Sequence, residues 1–179
     1  MPREFEFVTS VPIPPRSGIT QLYKAMDLAD AFAIALPAGT SSNPELLGRF
    51  MFSHQPAWIG WLMTVRDLIV ARLGLKTAKQ LASLANRVGI FKVYSTTQTE
   101  MVLGEDDKHL DFRISVLCFT DAKAKDRHQL VVSTVVQCHN RLGRAYIFVI
   151  APFHRLVVKA TLRRAARVGW PLATCQSPL

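Results

Sequence analysis

The amino-acid sequence predicts an α+β domain in which helices precede and follow a mostly antiparallel sheet. Three observations carry this. Residues 109–119 alternate in polarity, residues 130–139 are rich in β-branched side chains, and residues 152–168 repeat apolar and basic positions at helical spacing. Side chains alternate faces along a strand and return every 3.6 residues along a helix, so the two patterns are distinguishable.

Length and composition set the frame. A chain of 179 residues fits one domain. It is long enough to bury a core without staples. A hydrophobic fraction of 49% with 20% charged residues is that of a globular protein. The formal net charge of +9 bears on solubility and nonspecific partners, not on fold. Part of the excess is local, in Arg155, Lys159, Arg163, Arg164 and Arg167. The longest clean apolar run, Ala57–Met63, is shorter than the roughly 20 residues of a membrane span. The expectation is therefore a protein with no transmembrane segment. The first residues carry no apolar signal core, and the three cysteines, Cys118, Cys138 and Cys175, form no CxxC pair. Both point to a reducing, cytoplasmic setting.

The elements follow in order. Residues 1–26 form an extended arm, since Pro12, Pro14 and Pro15 oppose regular pairing. One domain is expected over residues 27–170, with a tail at 171–179. Residues 27–36 have two readings. Phe32, Ile34 and Leu36 alternate with alanines as in a strand, but Leu22, Met26, Ala29, Ala33 and Leu36 also share a helical face. Asn43-Pro44-Glu45 starts a helix that reaches about Phe52: a capping side chain, then proline, then an acid in the first turn. A second helix runs from Pro56 to Gly74, with Trp58, Leu62, Val65, Ile69 and Leu73 on its apolar face, widened by Trp61. A short third helix is read at residues 77–87.

The period then changes. Val88–Thr96 and Glu100–Gly104 read as a hairpin. The next strand puts Leu110, Phe112, Ile114, Val116 and Cys118 on one face and Asp111, Arg113, Ser115, Leu117 and Phe119 on the other. After a polar loop at Thr120–Arg127, Leu130–His139 forms the neighbouring strand. A loop centred near Ala124 sets Cys118 opposite Leu130 rather than Cys138, so no disulfide is expected between the two cysteines. Asn140–Gly143 reads as a turn, Ala145–Ile150 as a last strand, and Pro152 as the start of a helix stopped by Gly169 and Pro171. Phe153, Leu156, Val157, Ala160 and Thr161 form the apolar side of that helix.

Four stretches in order, Asp30–Pro37, Gly104–Arg113, Cys138–Tyr146 and Ala151–Val158, resemble a bacterial family known as domain of unknown function 2867. The resemblance covers about residues 27–168 and favours a strand at 27–36. More distantly, the element order resembles the helix-grip fold of the START and birch-pollen-allergen superfamily. That resemblance implies a curved antiparallel sheet wrapped on a long C-terminal helix, with a pocket between them. Members of the first family also occur behind Rossmann-type, short-chain-dehydrogenase-like domains. An oxidoreductase of that type is therefore an implied partner, although no GxGxxG follows a strand in this chain. No activity, cofactor or catalytic residue comes with the resemblance.

Several side chains are candidates for a ligand site. Asp111 and Arg113 share a strand face, where they form either a polar pocket floor or an outward solvated pair. His139, beside Asn140, is either a pocket-mouth acid/base group or a surface residue at a turn. His154 lies in the first turn of the helix read from Pro152, either hydrogen-bonding within the grip or satisfying a nearby backbone group. Trp58 belongs to the core or to the cavity wall. Glu105, Asp106, Asp107 and His109 lack metal-site spacing and read as a turn. No GxSxG, HExxH or paired Cys/His ligand pattern appears, so neither a nucleophile nor a metal is assigned. The basic stripe lacks interleaved aromatics and any nucleic-acid-binding signature, so no specific nucleic acid is expected. The reading that follows is a noncatalytic domain for a small apolar ligand. The alternatives are an enzyme using the same pocket, with Asp111, Arg113 and His139 as candidates, or an interaction module beside a Rossmann-type oxidoreductase.

Overall fold

The computed structural model describes residues 7–61, 64, 87–120 and 128–173. The predicted third helix, most of the second, the loop at 121–127 and Cys175 lie outside the described residues. Seven strands form one antiparallel sheet in the order β1-β2-β7-β6-β5-β4-β3. They are β1 (Thr9–Val11), β2 (Leu28–Ala35), β3 (Arg87–Val88), β4 (Phe91–Thr96), β5 (Glu100–Asp106), β6 (Leu110–Thr120) and β7 (His128–Cys138). Helix α1 (Pro44–Ser53) follows β2, and the long helix α2 (Arg141–Val168) follows β7. This is a helix-grip-like α+β fold: a curved antiparallel sheet with a long C-terminal helix against it.

Residues 27–36 resolve as a strand. Leu28, Phe32 and Ile34 enter the core on the helix side, and Ala31 and Ala33 face the rear. Two-sided burial explains the alanines, because they give the N-terminal arm room to lie flat. β1 pairs with β2 in that arm, Thr9 opposite Ala33 and Val11 opposite Ala31, and pairing stops where Pro12 removes a donor. Ile13, Ile19, Tyr23 and Met26 then cross the rear face onto Val102 and Val135.

The central strands match the expected alternation. Ile114, Val116 and Cys118 join Leu130 and Val132 in the main core, with Leu47 and Met51 of α1 and Leu162 and Ala165 of α2 above them. Cys118 faces Leu130, and Cys138 faces Leu110. Asn43 caps α1 by accepting hydrogen bonds from the Glu45 and Leu46 amides at 2.9 and 3.1 Å. Gly89, at φ 61°, lets the two-residue turn between β3 and β4 close.

The region after Cys138 departs from the sequence reading. Asn140–Gly143 is not a turn and Ala145–Ile150 is not a strand: α2 begins at Arg141 and runs through Pro152. The Asn140 carboxamide oxygen accepts the Gly143 amide at 2.9 Å and so caps the helix. Ile147 packs with Leu28, Leu110, Val136 and Cys138, with Tyr146 and Ala151 against that cluster. This packing outweighs the β-propensity of Tyr146–Ile150. Gly143 is required here, because a Cβ would lie 2.3 Å from the His109 carbonyl oxygen. Pro152 sits on the exposed side, where the carbonyl it leaves without an amide partner meets water.

The earlier start also turns the later face. The buried arc is Gly143, Ile147, Thr161, Leu162 and Ala165, whereas Phe153 and Leu156 are exposed. Phe148 is 84% exposed and extends an outer apolar strip with Leu142 and Val149. By length and composition alone, α2 is apolar enough to cross a membrane. Here the helix lies along the sheet, with Arg155 and Lys159 directed to Asp30 and the Phe32 ring.

Cys118 and Cys138 are buried free thiols. Burial pushes Cys118 from its ordinary 9.0 up to about 11. Burial does the same at Cys138, to about 11, and the Asp27 carboxylate adds to it. Between pH 9 and about 11 the unfolded chain therefore releases protons that the folded chain keeps, so stability falls as pH rises through that window. Urea midpoints should fall more steeply with pH for the wild type than for a Cys118→Ala/Cys138→Ala variant. Parallel profiles would refute the assignment.

Candidate functional site

A partly open cavity of about 250 Å³ lies between the helix-facing side of the sheet and α2. Its position follows from the packing. α1 and α2 meet over the middle of the sheet, at Leu47, Met51, Leu162 and Ala165. One turn earlier on α2 the layers separate. The floor is Ile114, Val132 and Thr134, and the roof is His154, Val157, Val158 and Thr161. Met51, Phe52, Gln55 and Ile59 close one side, with Gly89, Ile90 and Phe91 beside them. Phe91 is held edge-on between Phe52 and Phe112, at ring-centroid distances of 5.3 and 5.8 Å.

The cavity is mostly apolar, with Gln55, Thr134, His154 and Thr161 as its polar lining residues. Asp30 projects from β2 on the same side as Leu28 and Phe32, opposite Thr134 in register. Its side chain is only 9% exposed. His154 Nε2 lies 3.3 Å from Asp30 Oδ1, within ion-pair reach but outside hydrogen-bond alignment. Arg155 Nε approaches the other carboxylate oxygen at 3.4 Å. Thr161 is 3% exposed, and its hydroxyl has no hydrogen-bond partner among the described residues. Buried polar groups without partners are uncommon, because each forfeits its hydration without compensation.

The five sequence-selected residues separate. Only His154 lines the cavity among them. Trp58 is 39% exposed and outside the cavity lining, Trp61 is largely exposed, and Ile59 takes the inward position. Asp111, Arg113 and His139 do come together, but on the rear face. His139 Nε2 lies 3.0 Å from Asp111 Oδ2. Arg113 reaches Asp106 at 2.7 Å and stacks 3.6 Å above the Tyr94 ring. Burial works against ionised Asp106, but hydrogen bonds from Arg113 and Tyr94 prevail and hold its carboxyl below the usual range. Burial, followed by the hydrogen bond to Asp106, pushes the Tyr94 hydroxyl well up. These are two sets of partners, His139 with Asp111 and Arg113 with Asp106 and Tyr94, across the sheet from the cavity.

At the Glu105–His109 turn, the Asp107 amide donates to Asp111 at 3.2 Å, and His109 pairs with the Asn140 carboxamide at 2.8 Å. Among the described residues no group of three or more acids, histidines or cysteines is placed to hold a metal ion.

Asp30 is the residue that the sequence reading passed over. Its signal is an acid at the second position of the inward series Leu28, Asp30, Phe32, Ile34, Leu36. That signal is visible only once the segment is taken as a strand.

No curated protein and no solved structure matches the chain. A family profile does match, over residues 22–161. That span contains β2, α1, the central strands, the cavity floor and α2 as far as Thr161. The chain thus belongs to the family described as protein of unknown function, DUF2867.

Proposed function

We propose that the protein is a noncatalytic binding domain for a small, largely apolar ligand held between the sheet and α2. The observation that carries this is the cavity itself, walled by Met51, Phe52, Ile59, Phe91, Ile114, Val132 and Val158 with few polar groups among them. Binding sites of this kind are concave, apolar and furnished with a small number of placed polar groups. Its volume, about 250 Å³, suits a compact ligand of up to about three rings rather than a long lipid. The element order, which resembles that of the START and birch-pollen-allergen superfamily, supports the same reading.

Catalysis by Asp111, Arg113 and His139 in this cavity draws no support from their rear-face position. Partnership with a Rossmann-type oxidoreductase rests on the family resemblance alone.

N-phenyl-1-naphthylamine, a neutral probe that brightens on leaving water, is expected to bind saturably. Val158→Phe, which enlarges a half-buried residue of the roof, should weaken that binding about tenfold while leaving circular dichroism unchanged. Equal binding by both proteins would place the probe elsewhere and defeat the reading.

A further inference from the structure

The side of α2 turned away from the sheet carries a feature independent of the cavity. Leu142, Val149, Phe153 and Leu156 follow one another at intervals of seven, four and three residues, which places them on one helical face. Phe148 flanks them, and Ala145 and Pro152 are exposed among them. Phe148, Val149, Phe153 and Leu156 are between 49% and 84% exposed. The strip from Leu142 to Leu156 is about 21 Å long. The same face then turns basic, because Arg163 and Arg167 stand seven and eleven residues after Leu156. Arg141 stands at the opposite end. We propose that α2 lies flat on an anionic phospholipid surface, its outer apolar strip sunk below the headgroups and the arginines at its two ends set against lipid phosphates.

Three features support this. First, single exposed apolar side chains are ordinary, but a row of them on one element marks a contact surface. Second, α2 contains seven basic residues and no Asp or Glu. Arg144 and Arg155 are answered by Asp27 and Asp30 of the neighbouring chain segments. Arg141, Arg163 and Arg164 are exposed and have no carboxylate partner among the described residues. Third, the inner side of the helix is already committed. Ile147, Leu162 and Ala165 fix it to the core, so it can rest along a bilayer but not cross one, despite a composition that would permit crossing. A helix held in plane, with Phe and Leu outward and arginines beside them, has the chemistry of an interfacial helix. Long arginine stems reach phosphates from beside a sunken strip.

A second copy of the chain is a poorer occupant. Two such helices packed face to face would bring basic residues against the same strip, with no acid on either helix to neutralise them. An anionic bilayer supplies both the apolar layer and the opposite charge.

The test is cosedimentation of the full chain with vesicles of equal parts phosphatidylglycerol and phosphatidylcholine. Binding is expected, and should be at least about tenfold weaker to phosphatidylcholine alone, since each basic residue near an anionic surface contributes about fivefold. Raised salt should weaken it. Phe148→Gln/Val149→Gln should lower binding about tenfold, with circular dichroism unchanged, because it removes apolar area that enters the bilayer. Arg163→Gln/Arg164→Gln should lower it by a similar factor. Both pairs are exposed, so neither change disturbs the core. Absence of vesicle binding by the wild type would overturn the proposal. Vesicle binding that persists undiminished in Phe148→Gln/Val149→Gln would also overturn it, since the attraction would then be general to a basic protein and not the work of this strip. Self-association in sedimentation equilibrium that this double variant abolishes would assign the strip to a second copy instead.

Discussion

Replacing Glu100 with alanine is expected to destabilise the protein by about 3 kcal/mol and to lower its melting temperature by about 6–12 °C. Glu100 opens β5 on the rear face and is buried beneath the N-terminal arm. Its Oε1 accepts the Ser17 hydroxyl at 2.6 Å, and the Gly18 amide donates to both carboxylate oxygens, at 3.1 and 2.9 Å. The Ser115 hydroxyl on the adjacent strand donates to the same Oε1. One carboxylate thus joins the arm to two strands through charge-assisted bonds, each stronger than a neutral pair.

Alanine would leave two hydroxyls and an amide without an acceptor, in a space too enclosed for easy hydration. The urea midpoint should fall at an unchanged slope, and amide exchange at Gly18 and Ile19 should accelerate beyond the global change. Glu100→Gln, which keeps one acceptor oxygen, should lose less. A loss under about 1 kcal/mol for the alanine variant would mean that the arm is held by its apolar contacts alone.

The sheet centre was legible because both sides of it are covered. Ile114, Val116 and Cys118 alternate with Ser115 and Leu117, and the period survives because each face has one kind of neighbour. Asn43 and Pro44 marked the start of α1 through backbone chemistry that needs no tertiary partner. The orientation of the Asp111 face was not legible. Which side of a sheet receives a helix depends on a docking partner distant in sequence, here α2. The cavity is a gap between nonlocal layers, and local periodicity carries no measure of it. His154 was identifiable as a chemical group, but its partner Asp30 is separated from it by most of the chain.

Replacing Pro152 with alanine is expected to stabilise the protein by about 2 kcal/mol. A proline inside a helix removes one hydrogen bond and crowds the carbonyl four residues earlier, at a cost of roughly 3 kcal/mol. Alanine also frees the unfolded chain, which takes back roughly 0.4–1 kcal/mol. Pro152 is exposed, so its ring contributes no core packing. The sign of the effect distinguishes two structures. If the helix began at Pro152, the proline would occupy a favourable first-turn position, and alanine would be neutral or harmful. In the continuous helix, Ile147 anchors one side of Pro152 and Leu162 and Ala165 anchor the other, so repairing the ladder joins two segments already docked. A rise in urea midpoint, with added amide protection at Pro152's neighbours, is the expected result. A fall would return residues 145–150 to a separate element and remove the roof from which His154 reaches the cavity.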